Sequence, residues 1–547
     1  MEKFTQKPQL SQLTLREKIG QTAVMQMSWF MNRDDLKDYL KDYPMGNVWH
    51  NGNWCMNTAN LTGMVGGTLH DTEYYRKWAV GLRDYLRIPP IIGLDPVRTG
   101  FATNACDIVN APSIGATNSE ELAYRYGQMH AKAAKAVGAN YCWGTVVDIC
   151  SRFCSVGIMR AISDKPDTLT KLAGAMIKGM QSEGVLDTTK HFPGVDPYEY
   201  RDGHFAPMSI NISKEEWKRT QGAVFQEMVD LGTNSIMVGH MGFPAVDDRM
   251  CGAVSRPATI SHNMITKLLK EEMGFKGVVI TDSIDMGALI AAFPNVEDLY
   301  VELLNAGNDL LLNVKRYDYI DIVEKAVKNG RIAESRIDDA CQRVLDMKEK
   351  IGLFEEPETI TFDEIRGEIS EFNKTVAENA ITLECDIENR LPLDESKIKN
   401  VAIICSAHTD AAFVALEEMK VSFEKRGMNV KLQRRISSDE EMEHIDNESD
   451  LIIYAGYLGT HAPMGASSFY DEECATFFYA FTKGKEKSIG VSLGSVYVYY
   501  DFYANADIFV HAYSLAQESM EAFVKSIFGE IPFKGVMPYI PAGPRKE

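Results

Sequence analysis

Residues 184–204 read Gly184-Val-Leu-Asp-Thr-Thr-Lys-His-Phe-Pro-Gly-Val-Asp-Pro-Tyr-Glu-Tyr-Arg-Asp-Gly-His204. The stretch opens as a short strand-like run that closes on Lys190 and His191. Beyond Gly194, prolines, glycines and charges make it a loop. In that loop Asp202 stands two residues before His204. A carboxylate so placed can hold a histidine in one tautomer, and the other ring nitrogen is then left to exchange a proton. The same residues also fit a solvated loop with a stray histidine, so the surrounding pattern decides between the two.

Outward from this stretch the pattern repeats. Apolar, β-rich runs near Thr22–Met27, Gly46–His50, Pro90–Asp95, Asn140–Asp148, Leu186–His191, Ser235–His240, Gly277–Asp282 and Asp309–Asn313 alternate with helical stretches. Ser213-Lys-Glu-Glu216 has the form of a capping box, and Gly232 falls where a helix ends. Gly184 and Gly274 close two further helices. Alternation over roughly 350 residues means parallel strands. About eight such units fit a (β/α)8 TIM barrel better than one open sheet. A barrel gathers its chemistry at the C-terminal ends of its strands, and Asp95, Asp148, Lys190 with His191, His240, Asp282 and Asn313 each close an apolar run. One such residue can be a helix cap. Asp148 also reads as a cap or a structural hydrogen-bonder, but six in register are hard to assign to capping.

The fold class expected is therefore α/β. Residues 1–350 form the barrel, 351–395 a linker with one or two helices, and 396–547 a smaller α/β domain. In that domain Asn400–Cys405, Asp450–Tyr454, Lys487–Ser492 and Asp507–His511 read as strands. His408 and His461 lie on loops that can overhang the barrel mouth, although most lone loop histidines do nothing.

With 547 residues, the chain should hold two or three domains. Its net charge of −20 argues against nucleic-acid and polybasic membrane contacts. The N-terminus has no apolar h-region and no run approaches a bilayer span, so a soluble, cytoplasmic protein is expected. The ten cysteines show no disulfide spacing, and Cys142, Cys150 and Cys154 lack a CxxC pair, so no metal site is expected. No phosphate-binding glycine motif follows a strand, and no cofactor is expected. The partner expected is a small carbohydrate; the oligomeric state is open.

Asp282, in Gly277-Val-Val-Ile-Thr-Asp-Ser-Ile-Asp-Met286, is the candidate nucleophile, although it also reads as a cap for the following helix. A carboxylate opposite a proton donor suits attack at an acetal carbon with assisted departure of the leaving group. A histidine paired with Asp202 can be that donor, and Asp95, Lys190, His191 and His240 are candidate sugar contacts.

These residues resemble those of family 3 glycoside hydrolases, in particular the bacterial β-N-acetylglucosaminidases. The likeness runs through Leu13-Thr-Leu-Arg-Glu-Lys-Ile-Gly-Gln21, Gly93-Leu-Asp95, Lys190-His-Phe-Pro-Gly194, Met237-Val-Gly-His240, Asn305-Ala-Gly-Asn-Asp309, Ser492-Leu-Gly-Ser495 and Phe528-Gly-Glu530. It implies a TIM barrel with a C-terminal α/β sandwich, and retention through a glycosyl-enzyme on Asp282 with His204 and Asp202 as the acid/base dyad. It also implies sugar contacts from Asp95, Arg160, Lys190 and His191. The product would be terminal β-linked N-acetylglucosamine from cell-wall fragments or chito-oligosaccharides. The alternatives are a glycoside phosphorylase on the same fold and an inactive sugar-binding protein. Two departures stand out. Val195-Asp196 replaces the usual residues after Gly194, with the Asp-x-His pair one residue late. Asp95 is followed by Pro-Val-Arg-Thr-Gly100, where Arg98 reads either as a pocket cation or as a surface ion-pair partner.

Overall fold

The computed structural model describes residues 3–26, 33–50, 70–95, 102–150, 154, 159–293, 295–314, 318–407, 409–459 and 476–539; Arg98, His408 and His461 lie outside the described residues. Eight short strands organise the first part of the chain. They are β1 (Ala23–Gln26), β2 (Asn47–Trp49), β3 (Ile91–Leu94), β4 (Tyr141–Cys142), β5 (Thr188–Phe192), β6 (Ser235–Val238), β7 (Val278–Thr281) and β8 (Leu311–Val314). All pair in parallel, in two sheets ordered β8-β1-β2-β3-β4 and β7-β6-β5. Isolated parallel bridges run between the sheets' edges, from Tyr141 to Leu186 and from Ile280 to Leu310.

These strands are continuous apolar runs because both faces are covered, as parallel strands require. Val24, Trp49, Ile91, Tyr141, Leu186, Met237, Ile280 and Leu312 meet in one buried cluster. Beside it the hydroxyls of Tyr141, Ser235 and Thr188 bond in a chain, at 2.7 and 2.9 Å. The helices end where glycine permits a left-handed turn, at Gly184, Gly232 and Gly274, with φ of +69°, +90° and +76°. Ser213 caps its helix by accepting from the Glu216 N–H at 3.1 Å; the helix Lys214–Arg219 breaks at Thr220 and resumes as Gln221–Leu231. The run expected from Asn140 to Asp148 is a strand only at its start. Past Cys142 it stays beside β5 as an isolated bridge, Val146 to Lys190, with backbone bonds from Thr188 N–H to the Gly144 carbonyl, from Lys190 N–H to that of Thr145 and from Val147 N–H to that of Lys190.

The C-terminal part is a six-stranded sheet. Its strands are β9 (Thr382–Asp386), β10 (Asn400–Ala407), β11 (Asn429–Gln433), β12 (Leu451–Tyr457), β13 (Ser488–Ser492) and β14 (Ile508–His511), ordered β9-β14-β13-β12-β10-β11. Only β9 runs antiparallel to its neighbour. The stretch 351–395 is more than a linker. It supplies the helix Phe362–Ala380, closed by a Thr361–Glu364 capping box, and then β9 itself. Both unexpected strands, β9 and β11, are edges. Edge strands carry polar residues that blunt further pairing, and this hides them in a sequence.

The two parts are tied together close to Arg160. Tyr539 Oη donates to the Ala161 carbonyl at 2.6 Å, and Ser163 Oγ and Lys165 Nζ donate to the carbonyls of Pro538 and Met537 at 2.5 and 2.6 Å. Asn110 Nδ2 donates to the Tyr513 carbonyl at 3.2 Å. Among the described residues no helix is long and apolar enough to cross a membrane.

Candidate active site

The strand ends supply one half of the site. Lys190 is almost fully buried, and its Nζ donates to Asp95 Oδ1 at 2.8 Å. Arg160 Nη2 lies 3.9 Å from the same oxygen. Burial pushes the Lys190 ammonium below its usual range, while Asp95 pulls the other way. The Lys190–His191 and Phe192–Pro193 peptides are cis. His191 is held by Asp148, whose Oδ1 accepts the backbone N–H at 3.0 Å and whose Oδ2 accepts from Nδ1 at 2.7 Å. Asp148 is therefore the anchor that fixes the His191 tautomer and leaves Nε2 for an outside partner. A cavity of about 140 Å³ opens beside this group, lined by Thr145, Arg160 and Lys190 together with Tyr457 and Ser514 of the C-terminal part.

Asp282 closes β7. Its N–H donates to the Val238 carbonyl at 2.8 Å, and its Oδ1 accepts the Ser283 N–H at 2.7 Å. The next helix, Gly287–Ala292, has Met286 as its N-cap, so Asp282 is not spent on capping. Burial alone would favour the neutral acid. His191, His240, His204 and the Ser283 N–H outweigh it and hold the carboxylate below its usual range. A half-buried carboxylate held below its usual range that makes no salt bridge among the described residues is suited to attack a carbon.

His240 was expected to touch the sugar, and the structure corrects that expectation. Its Nε2–H donates to the Ser283 carbonyl at 2.8 Å, and its Nδ1 accepts from Thr259 Oγ1 at 3.0 Å. With both nitrogens taken by the protein, it steadies the turn after Asp282. Burial pushes its pKa down, in keeping with the neutral ring this pattern requires. Ser283 Oγ also bonds Asp285 and Asn313, at 2.6 and 2.9 Å.

The loop after β5 supplies the other half. Asp202 Oδ1 accepts from the backbone N–H of His204 at 2.9 Å and from its Nδ1 at 2.7 Å. Asp202 and His204, paired in the sequence reading, are thus in direct contact. The loop is shaped by two further buried carboxylates that sequence reading did not single out. Asp196 accepts from the backbone of Tyr198 and Asn211 at 2.8 and 2.7 Å. Glu199 accepts from the Arg201 backbone at 3.0 Å, from its Nε at 2.8 Å and from the Ser209 N–H at 3.3 Å. The departure Val195-Asp196 is therefore a staple that holds the rebuilt loop. At the loop's root Trp217 Nε1 donates to the Pro193 carbonyl at 2.7 Å and Gln221 Nε2 to that of Val195.

The loop is docked onto the segment that follows Asp282. Gly287 N–H donates to the His204 carbonyl at 2.8 Å and Ala288 N–H to that of Gly203 at 3.1 Å. A Cβ at Gly287 would stand 2.6 Å from the Phe205 carbonyl oxygen, so only glycine allows this approach. Docking sets the backbone of Gly203 and His204 against the segment five residues past Asp282.

Comparison with known proteins gives the family. Residues 14–347 match the model of the glycosyl hydrolase family 3 N terminal domain. The chain belongs to glycosyl hydrolase family 3. A β-N-acetylglucosaminidase/β-glucosidase of Cellulomonas fimi is 28% identical over 247 residues, which cover 44% of this chain and 43% of that protein. β-Hexosaminidase A of Pseudoalteromonas piscicida is 28% identical over 259 residues, 44% of this chain and 43% of that protein. The matches span less than half the length of each of these relatives. Among solved structures, a family 3 β-N-acetylglucosaminidase from Paenibacillus sp. str. FPU-7 superposes with a TM-score of 0.78 at 23% identity, covering 96% of this chain and 99% of that one. A β-glucoside phosphorylase superposes at 0.81 and 21% identity, covering 97% and 95%.

Proposed function

We propose that this chain is a retaining exo-β-N-acetylglucosaminidase that releases terminal β-linked N-acetylglucosamine from cell-wall fragments or chito-oligosaccharides. One observation carries the reading: a histidine tied to Asp202 on a loop docked against the segment that follows a half-buried Asp282 held below its usual range. In the first step the Asp282 carboxylate attacks the anomeric carbon. The bond to the leaving oxygen breaks as the His204 imidazolium gives that oxygen its Nε2 proton. In the second step neutral His204 takes a proton from water, the water attacks the anomeric carbon, and Asp282 departs. Asp202 keeps Nδ1 protonated throughout. Asp95, Arg160, Lys190 and His191 bind the sugar's hydroxyls, with Asp148 orienting His191.

The reading takes the two parallel sheets as one (β/α)8 barrel and the C-terminal part as an α/β sandwich domain. Bridges at both seams and a buried cluster fed by seven of the eight strands, with Leu186 from just before β5, support the barrel. The names of the relatives support the sugar. A second reading, phosphorolysis, draws on the neutral histidine base, which repels phosphate less than a carboxylate would. The cysteines are free among the described residues, which supports a reducing cytoplasm.

Nitrophenol release from the β-N-acetylglucosaminide and β-glucoside, with and without phosphate, tests the proposal beside Asp282→Asn. Turnover of the N-acetyl substrate alone, independent of phosphate and lost in the variant, is expected. Release of a sugar 1-phosphate would make the enzyme a phosphorylase, and turnover that survives in the variant would remove Asp282 from the mechanism.

A further inference from the structure

The loop that carries His204 is inside out. Its carboxylates are buried, with Asp196, Glu199 and Asp202 only 6%, 8% and 7% exposed, whereas its aromatic residues face water: Tyr198 is 80% exposed, Tyr200 61% and Phe205 63%. Single exposed apolar side chains need no explanation, but three large ones within residues 198–205 make a patch. Looseness does not account for it. The same residues are fixed by the backbone bonds of Asp196, Glu199 and Asp202 and by the docking of Gly203 and His204 onto Gly287 and Ala288. Glu199, buried between the two tyrosines, turns inward while its neighbours turn outward.

We propose that Tyr198, Tyr200 and Phe205 form a platform for the leaving group of the glycoside, and that this group presents a flat apolar face, such as the C–H face of a second pyranose or an aryl ring. The inference rests on the reaction assigned above. His204 protonates the glycosidic oxygen, so whatever is attached to that oxygen departs along the loop that carries His204. The loop offers that departing group aromatic faces and little free charge, because its carboxylates are engaged inward by backbone N–H groups and Arg201. Aromatic faces pair with flat, weakly polarised surfaces. Ile290, on the helix Gly287–Ala292 against which the loop docks, is also 43% exposed.

The test compares kcat/KM for three substrates with the same glycosyl group: the nitrophenyl glycoside, the β-1,4-linked disaccharide and the glycosyl fluoride, whose leaving group has no face to stack. Each is measured with the wild type, with the Tyr198→Ser/Tyr200→Ser/Phe205→Ser variant and with Tyr198→Phe/Tyr200→Phe. Each lost ring should cost about 3- to 10-fold on a faced leaving group. The triple variant should therefore lose at least about tenfold more on the nitrophenyl glycoside, the disaccharide or both than on the fluoride, mainly in KM, and the phenylalanine variant should recover most of it. A larger loss on the disaccharide names a sugar as the leaving group, and a loss on the nitrophenyl glycoside alone names an aryl group. Equal losses on all three substrates would reduce the rings to a structural role and overturn the platform. So would a wild-type dimer that the triple variant dissociates with kinetics unchanged, since the rings would then cover a second copy. Fluoride turnover without differential loss fails the platform alone; no turnover of any substrate by the wild type fails the assigned reaction and the platform with it.

Discussion

The two halves of the active site are held in different ways. Asp95, Lys190 and Asp282 stand at the ends of strands, and the sheets fix their backbones: Lys190 N–H bonds the Thr145 carbonyl at 3.0 Å and Asp282 N–H that of Val238 at 2.8 Å. His204 sits on a loop with no sheet beneath it. Its backbone order comes from the buried carboxylates of Asp196, Glu199 and Asp202, each accepting N–H groups of the loop's own chain. Buried backbone groups must be paired whatever the element, so a loop that carries chemistry needs its own scaffold of acceptors. The difference also sets what can be lost separately. On the mechanism proposed above, damage to the strand half should remove the nucleophile, and damage to the loop half should remove the proton.

That separation can be broken experimentally. His204→Ala should cost about 10²- to 10⁴-fold in kcat/KM on the disaccharide and clearly less on the nitrophenyl glycoside, whose leaving group needs little protonation. Equal losses would remove His204 as the acid. Gly287→Ala alters no catalytic side chain chemically but drives a Cβ into the Phe205 carbonyl, so the loop must lift and carry His204 with it. The expected loss is about 10²-fold on the disaccharide with the same leaving-group dependence as His204→Ala; a loss independent of the leaving group would mean that docking does not position the acid.

Asp196→Asn converts one acceptor oxygen to a donor against the Tyr198 or Asn211 N–H. About 1 to 3 kcal/mol of loop stability should go, read as faster proteolysis at residues 195–206, while glycosyl fluoride turnover falls by less than tenfold. The smallest effect concerns the strand half's far end. Lys348 Nζ, fully buried, donates to Gln21 Oε1 and the Gly46 carbonyl at 2.7 and 3.0 Å, next to the starts of β1 and β2. Burial pushes its pKa down to about 7 from 10.5. Between those two values the unfolded chain holds a proton that the folded one has shed, so stability rises with pH across this window. From pH 7 to 9 the wild type should gain up to about 2 kcal/mol relative to Lys348→Met in denaturant unfolding; parallel curves would show that the ammonium is not desolvated.

Much of this was legible in the sequence, for identifiable reasons. Parallel strands read as apolar runs, so all eight in the first part were visible, and the closing polar residues marked strand ends except Asp148, which lies beyond the end of β4. Asp202 and His204 could be paired because their contact is local, two residues apart. The edge strands β9 and β11 were not visible, because alternating short runs with charges resemble loops. The role of His240 was misread, because residue type does not reveal that Thr259 and Ser283 claim both its nitrogens. Asp196 stood out only as a departure without a role, and Glu199 gave no sign, because a carboxylate that bonds its own backbone looks in sequence like any solvated charge. Gly287 acquires meaning only once the loop lies against it.

The most direct measurement is an intact mass followed by peptide mapping of the protein quenched during reaction with an activated 2-fluoro glycoside, which slows the second step. The account predicts a single glycosyl adduct on the peptide containing Asp282, absent from Asp282→Asn and still formed by His204→Ala. An adduct on any other residue, or turnover of this substrate with no adduct and inverted product configuration, would contradict it.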